Sequence, residues 1–216
     1  TGTAVVSTEN PLNENNPTYM RVNCTKGDYR FANLGYQAQS FSGGVPVEEG
    51  KSYRCFVWMR NAGDFDGTVE VALTKRSGKS IAVPKSFTLS SEWQKYEVTF
   101  KSSYTEDAVL SFIMHGTGAI DIDMASLMPA DAFGADWPGG GLRPDLVQAL
   151  MDLNPSFLRF PGGCVTEGSY YRRNFYDWKD TVGPVEERRE NFNTWGYMQS
   201  YGLGYFEYFC LAEALG

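Results

Sequence analysis

From the amino end to about Met128, apolar and polar positions alternate in short runs broken by turn residues, as in an antiparallel sheet with one buried face. The pattern predicts strands at Thr18 to Asn23, Ser52 to Arg60, Thr68 to Thr74, Trp93 to Phe100, Ala108 to Met114 and Ala119 to Leu127. Gly43-Gly44, Glu49-Gly50, Asp66-Gly67, Ser77-Gly78 and Gly116-Thr117-Gly118 supply the tight bends between them. Strands at this spacing predict a jelly-roll-type β-sandwich over residues 1–130.

After Pro129 the period changes. Asp136-Trp-Pro-Gly-Gly-Gly141 breaks the chain before Leu142 to Leu153, where Leu142, Leu146, Leu150 and Leu153 recur at helical spacing. Pro144 suits the first turn of that helix and Asp145 its positive end, and Asn154-Pro155 stops it. A strand is expected at Phe157 to Phe160, anchored by Leu158 and Phe160 with Arg159 between them. A long aromatic-rich irregular stretch follows, then a second helix from about Tyr205 to Leu215, with Gly216 at the expected cap. Helix, strand, loop and helix make an α/β series, so residues 131–216 are expected to form part of a (β/α)8 barrel. One such unit cannot close a barrel of roughly 250 residues, so the chain is expected to be part of a longer one, and as a fragment it is expected to associate through its unpartnered strand edge and helix faces. The alternative is a complete small α+β unit docked on the sandwich.

The chain has 216 residues, 42% hydrophobic and 15% aromatic, enough for one or two cores and unlike a disordered chain. With 19 Lys+Arg against 26 Asp+Glu and a formal charge of −7, it lacks the basic surface that nucleic acid requires, and a neutral or cationic ligand fits better. No apolar run approaches the roughly 20 residues needed to span a bilayer, so no membrane partner is expected.

Candidate chemistry gathers at Phe157-Leu-Arg-Phe-Pro-Gly-Gly-Cys-Val-Thr-Glu-Gly168, where Pro161-Gly162-Gly163 forces a turn that lets a ligand approach the backbone, with Cys164 and Glu167 directly after it. Arg159 would face away from its apolar neighbours, either orienting carboxylates or forming a buried ion pair. Among the later carboxylates, Glu186-Glu187-Arg188-Arg189 reads as a solvated charge run, whereas Glu207 sits in an aromatic helix start and needs a partner, such as an arginine. A Cys–His nucleophile is not expected, because the single histidine, His115, lies in the sandwich region, and one histidine cannot build a histidine metal site. Asp121 and Asp123 share a strand face, as a structural calcium site in the sandwich would require or as a solvent-facing polar row would show. The widely separated Cys24, Cys55, Cys164 and Cys210 form no CxxC motif, and Cys24 and Cys55 are expected as free core thiols. Trp58, Trp93, Tyr36 and Tyr53 are candidates for stacking on a sugar or for the core.

Pro155 to Gly168, Tyr176-Asp-Trp-Lys-Asp-Thr-Val-Gly-Pro-Val-Glu-Glu-Arg188, Trp195-Gly-Tyr197 and Gly202-Leu-Gly-Tyr-Phe-Glu207 closely resemble the α-L-arabinofuranosidases of glycoside hydrolase family 51. Asn10 to Tyr19 and Ile120 to Leu127 resemble the carbohydrate-binding-type sandwich of one branch of that family. The resemblance implies removal of terminal arabinofuranosyl residues from arabinose-containing plant polysaccharide, with retention, by two glutamates on later barrel strands that this chain lacks. It therefore implies no catalytic residue here, no cofactor, and an inactive chain within a longer extracellular or periplasmic enzyme. By position it assigns sugar contact to Gly163, Cys164 and Trp195, support of the catalytic carboxylates to Arg159, and supporting roles to Glu167 and Glu207. Two other readings stay open: a stand-alone carbohydrate-binding protein and a purely structural sandwich.

Overall fold

A computed structural model describes residues 1–35, 43–168 and 174–216. The chain divides into two compact units, Thr1–Leu12 with Thr18–Ala130, and Asn13–Pro17 with Asp131–Gly216.

The first unit is a two-sheet antiparallel sandwich. One sheet has the order β1-β2-β10-β5-β8, from Gly2–Ser7 (β1), Tyr19–Cys24 (β2), Ser52–Asn61 (β5), Gln94–Lys101 (β8) and Gly118–Pro129 (β10). The other has Asp28–Asn33 (β3), Glu106–His115 (β9), Thr68–Thr74 (β6) and Lys85–Phe87 (β7) in that order, with Val45–Val47 (β4) also paired to β9. Alternation selects the core: Tyr53, Cys55, Val57 and Met59 of β5 are buried, and so are Ala108, Leu110, Phe112 and Met114 of β9 and Val69, Val71 and Leu73 of β6. All six predicted strands form, and β1, β3, β4 and β7 join them. A bulge between Asp123 and Ser126 breaks the register of β10 on β5, with Met124 in the left-handed region at φ 47°.

Asp121 corrects the solvent-facing reading of the Asp121/Asp123 pair. It is fully buried: Arg21 Nε donates to its Oδ1 at 2.7 Å, and Arg60 Nε donates to its Oδ2 at 2.9 Å. Two guanidinium groups thus hold both carboxylate oxygens, and Asp121 belongs to no solvent-facing row. Tyr19 packs edge-on against Trp93 at 5.3 Å, and the Arg60 guanidinium lies 4.7 Å from the Trp93 ring centre. Trp93 is thus half-buried in this cluster, Trp58 is half-buried, Tyr53 is in the core, and Tyr36 lies outside the described residues. All four cysteines are free; Cys24 and Cys55 are buried, and burial pushes the Cys55 thiol up to about 12.

The second unit holds the helices Pro144–Leu153 (α1), Cys164–Glu167 (α2) and Tyr205–Leu215 (α3), two 3₁₀ turns, and a hairpin of Asn191–Phe192 (β11) and Met198–Gln199 (β12). The predicted helix α1 forms, with Val147 its one buried residue and Leu146 and Leu153 of the leucine stripe exposed. The strand expected at Phe157 to Phe160 does not form among the described residues, because no described strand lies beside it to make a ladder; Phe157 and Leu158 are exposed, while Phe160 is stacked 3.5 Å from Tyr208 of α3.

Candidate functional site

The glycine turn takes shape from Phe160 onward. Phe160 anchors it among Tyr176, Tyr205 and Tyr208, and the Phe160–Pro161 peptide is cis. Gly162 and Gly163 both have φ in the left-handed region, at 69° and 64°. A Cβ built on Gly163 would meet nothing within 4 Å, so the backbone there is open to approach. Cys164 opens α2 and is exposed, as is Glu167 at its end. Arg159 is exposed rather than buried, with its guanidinium carbon 3.4 Å from where a Gly162 Cβ would sit, and no ion pair forms on it among the described residues. The buried-pair reading of Arg159 is thereby corrected: without flanking strands, nothing encloses its side chain.

Trp195 rides on the turn between β11 and β12, where Asn193 Oδ1 accepts from Trp195 N at 2.9 Å and Asn193 N donates to the Tyr197 carbonyl at 3.0 Å. Trp195 is 59% exposed. A cavity of about 350 Å³ joins the two features: Pro161 and Val165 flank the glycine turn, Gln199 ends the hairpin, and Phe160, Tyr176, Tyr201 and Tyr208 supply aromatic wall. The predicted contact residues Gly163, Cys164 and Trp195 are not in this lining; their chain neighbours are. Burial pushes the Tyr176 hydroxyl up to about 12 and raises Tyr201 and Tyr208 as well, so the wall is uncharged at neutral pH.

Behind this cavity lies an ion pair that sequence reasoning half anticipated. Glu207 is buried at 1% exposure and finds the arginine it requires, Arg188, with Arg188 Nη2 donating to Oε1 at 2.7 Å and Nη1 to Oε2 at 3.0 Å. Arg188 is itself 1% exposed, which corrects its placement in a solvated run. Its fork also donates to the carbonyls of Gly183, Tyr201 and Gly202. Glu207 Oε2 accepts from the Gly204 amide at 2.8 Å, capping α3, and a side chain at Gly204 would strike the Thr181 carbonyl. The unpaired charge in an aromatic helix was the signal for Glu207; nothing in Glu186 to Arg189 distinguished Arg188 from its neighbours.

The two parts of the chain separately match models described as a carbohydrate binding domain, over residues 13–119, and an alpha-L-arabinofuranosidase 1 domain, over residues 149–216. Sandwich and segment together therefore define a module of carbohydrate-active type. An extracellular exo-alpha-L-arabinofuranosidase of Streptomyces chartreusis is 39% identical over 98% of this chain, which covers 25% of that protein. Alpha-L-arabinofuranosidase 1 of Arabidopsis thaliana is 38% identical over 89% of the chain, covering 27% of its own length. An arabinose-bound MgGH51 α-L-arabinofuranosidase structure aligns over all of this chain and 35% of its own, with a TM-score of 0.85 and 23% identity, a likeness of fold. Nearly the whole chain is therefore similar to a stretch of the α-L-arabinofuranosidases. It spans about a quarter of the length of the first of these relatives.

Among the described residues no helix is long and apolar enough to cross a membrane, and no group of three or more His, Cys, Asp or Glu is placed to hold a metal.

Proposed function

We propose that this chain is the sandwich and sugar-contacting early segment of a retaining glycoside hydrolase that removes terminal α-L-arabinofuranosyl residues from arabinose-containing polysaccharide. The observation that carries the reading is the open Gly162-Gly163 turn with Cys164 exposed beside it, in a chain 39% identical to an exo-arabinofuranosidase. Left-handed glycines without Cβ atoms let sugar hydroxyls reach backbone N–H groups, Cys164 meets the ring's edge, and the exposed Trp195 indole covers an apolar C–H face. Arg159 supports the carboxylates that attack and protonate, Glu167 braces the turn, and Glu207 acts through Arg188. The two catalytic carboxylates of a retaining enzyme stand about 5 to 5.5 Å apart, and this chain supplies neither, so it is inactive alone. The reading invokes no cofactor and places the longer enzyme outside the cell, where its polymeric substrate is.

Assay of an aryl α-L-arabinofuranoside tests this. The isolated chain is expected to release no arabinose, whereas the longer protein carrying it releases arabinose with KM raised by Trp195→Ala. Release by the isolated chain, or a longer protein indifferent to Trp195→Ala, contradicts the reading. The match of residues 13–119 to a carbohydrate binding domain favours a second reading, a polysaccharide-binding sandwich. Saturable retention on arabinan or xylan, lost on replacing one sandwich aromatic, would support it.

A further inference from the structure

We propose that Arg188 is the positioning residue of the hairpin that carries Trp195. Its guanidinium grips the chain on both sides of that hairpin: Nε donates to the Gly183 carbonyl at 3.1 Å, ahead of β11, and Nη1 donates to the Tyr201 carbonyl at 2.7 Å, beyond β12. One side chain therefore closes residues 183–201 into a loop at its base. The same fork is fixed to α3 through both oxygens of Glu207. Glu207 is fixed in turn to the Gly204 amide, so the base of the hairpin and the start of the helix share one rigid joint.

The arrangement is over-determined from the other side. Asn16 Oδ1 accepts from the Glu190 amide at 2.8 Å, and Asn15 Nδ2 donates to the Glu187 carbonyl at 2.8 Å, which holds the backbone around Arg188 in place. Asn191, at the first position of the hairpin, donates from Nδ2 to the Tyr201 hydroxyl at 2.7 Å. Beyond these anchors the hairpin is two residue pairs long, Asn191 with Gln199 and Phe192 with Met198, and too short to hold its own geometry in water. Trp195 at its tip is exposed, so its position is set from the base rather than by packing around the ring. A lysine keeps the charge but not the planar fork, and cannot serve two carbonyls and a bidentate carboxylate at once.

The experiment is hydrogen exchange followed peptide by peptide on the chain, on Arg188→Lys, and on the doubly substituted Arg188→Met/Glu207→Gln. The double variant removes both buried charges and so keeps the segment folded where an unpaired Glu207 would unfold it. The expected result is acceleration of about tenfold or more across residues 191–199, with α1 and the sandwich strands unchanged. Unaltered exchange at 191–199 in a folded variant overturns the proposal. So does equal acceleration throughout 131–216, which is the mark of a general stabiliser.

The consequence for sugar binding rests on the reading of Trp195 given above, and the exchange is measured without sugar so that the two fail separately. Loosening of 191–199 with undiminished sugar affinity would sink the role of Trp195 and leave the clamp standing. Loss of affinity with unaltered exchange would sink the clamp.

Discussion

The two units differ in the balance of apolar and polar side chains that they bury. Among the described residues, the sandwich encloses one continuous apolar cluster, from Val22 and Met59 to Phe112 and Ile122. Among the described residues of the second unit, Val147, Tyr201 and Leu211 are the buried hydrophobics, against five buried polar or charged residues: Thr181, Arg188, Asn191, Asn193 and Glu207. Helix α3 encloses Glu207 together with Leu211, while Phe206 and Phe209 stand exposed beside an apolar hollow of about 410 Å³. The sandwich is held by non-directional burial, which tolerates exchange of one apolar group for another. In the second unit directional bonds converge on one guanidinium that joins the base of the hairpin to the start of α3, so the order of that hairpin depends on a few atoms.

The contrast can be broken most sharply at Arg188. Arg188→Ala strands Glu207 without its partner and is expected to cost the second unit about 3–5 kcal/mol while leaving the sandwich transition in place. Urea unfolding read separately on the two units checks it, and a common shift of both would erase the distinction. Leu73→Ala, at 0% exposure in the sandwich, should cost about 2–5 kcal/mol in the first unit alone.

Alkaline titration sharpens the comparison further. Burial raises the Cys55 thiol from 9.0 to about 12, so the folded sandwich holds a proton that the unfolded chain has released. That contribution is complete below pH 9 and is lost as pH rises toward 12, reaching at most about 4 kcal/mol. Tyr176, raised from 10.0 to about 12, acts in the same direction on the second unit from pH 10 upward, with a smaller effect because it is only half-buried. Cys55→Ala should flatten the sandwich's loss between pH 9 and 12, and an unchanged slope would refute the assignment. The smallest effect belongs to Leu153→Ser: at 74% exposure it should shift stability by no more than about 0.5 kcal/mol in thermal melts, and a large loss would mean that α1 buries its leucine stripe after all.

Most of the sandwich was legible because its core strands alternate; β5 buries every second residue from Tyr53 to Met59. Of the strands that escaped notice, three lack that signal. β1 is exposed along nearly its whole length, and β4 and β7 are three residues each. Phe157 to Phe160 carries an apolar strand composition, yet a ladder needs a neighbour, which no local pattern supplies. Charges were the hardest to place. Asp121 shares a strand face with Asp123 in the sequence, but its fate is set by Arg21, 100 residues away, and Arg60, 61 residues away. Glu207 announced its need for a partner through its aromatic neighbours, whereas Arg188 lay in an ordinary run of charges whose burial only the folded loop reveals.

The most direct test of the sugar-contacting role of the glycine turn is the rate at which iodoacetamide alkylates Cys164, resolved from the other cysteines by peptide mapping, with and without a saturating arabinofuranoside. Cys164 is exposed and Cys24 and Cys55 are buried, so Cys164 should react readily while those two stay unmodified in the folded chain. The account predicts that sugar slows Cys164 several-fold and leaves the half-buried Cys210 unaffected. A Cys164 rate indifferent to saturating sugar would contradict it.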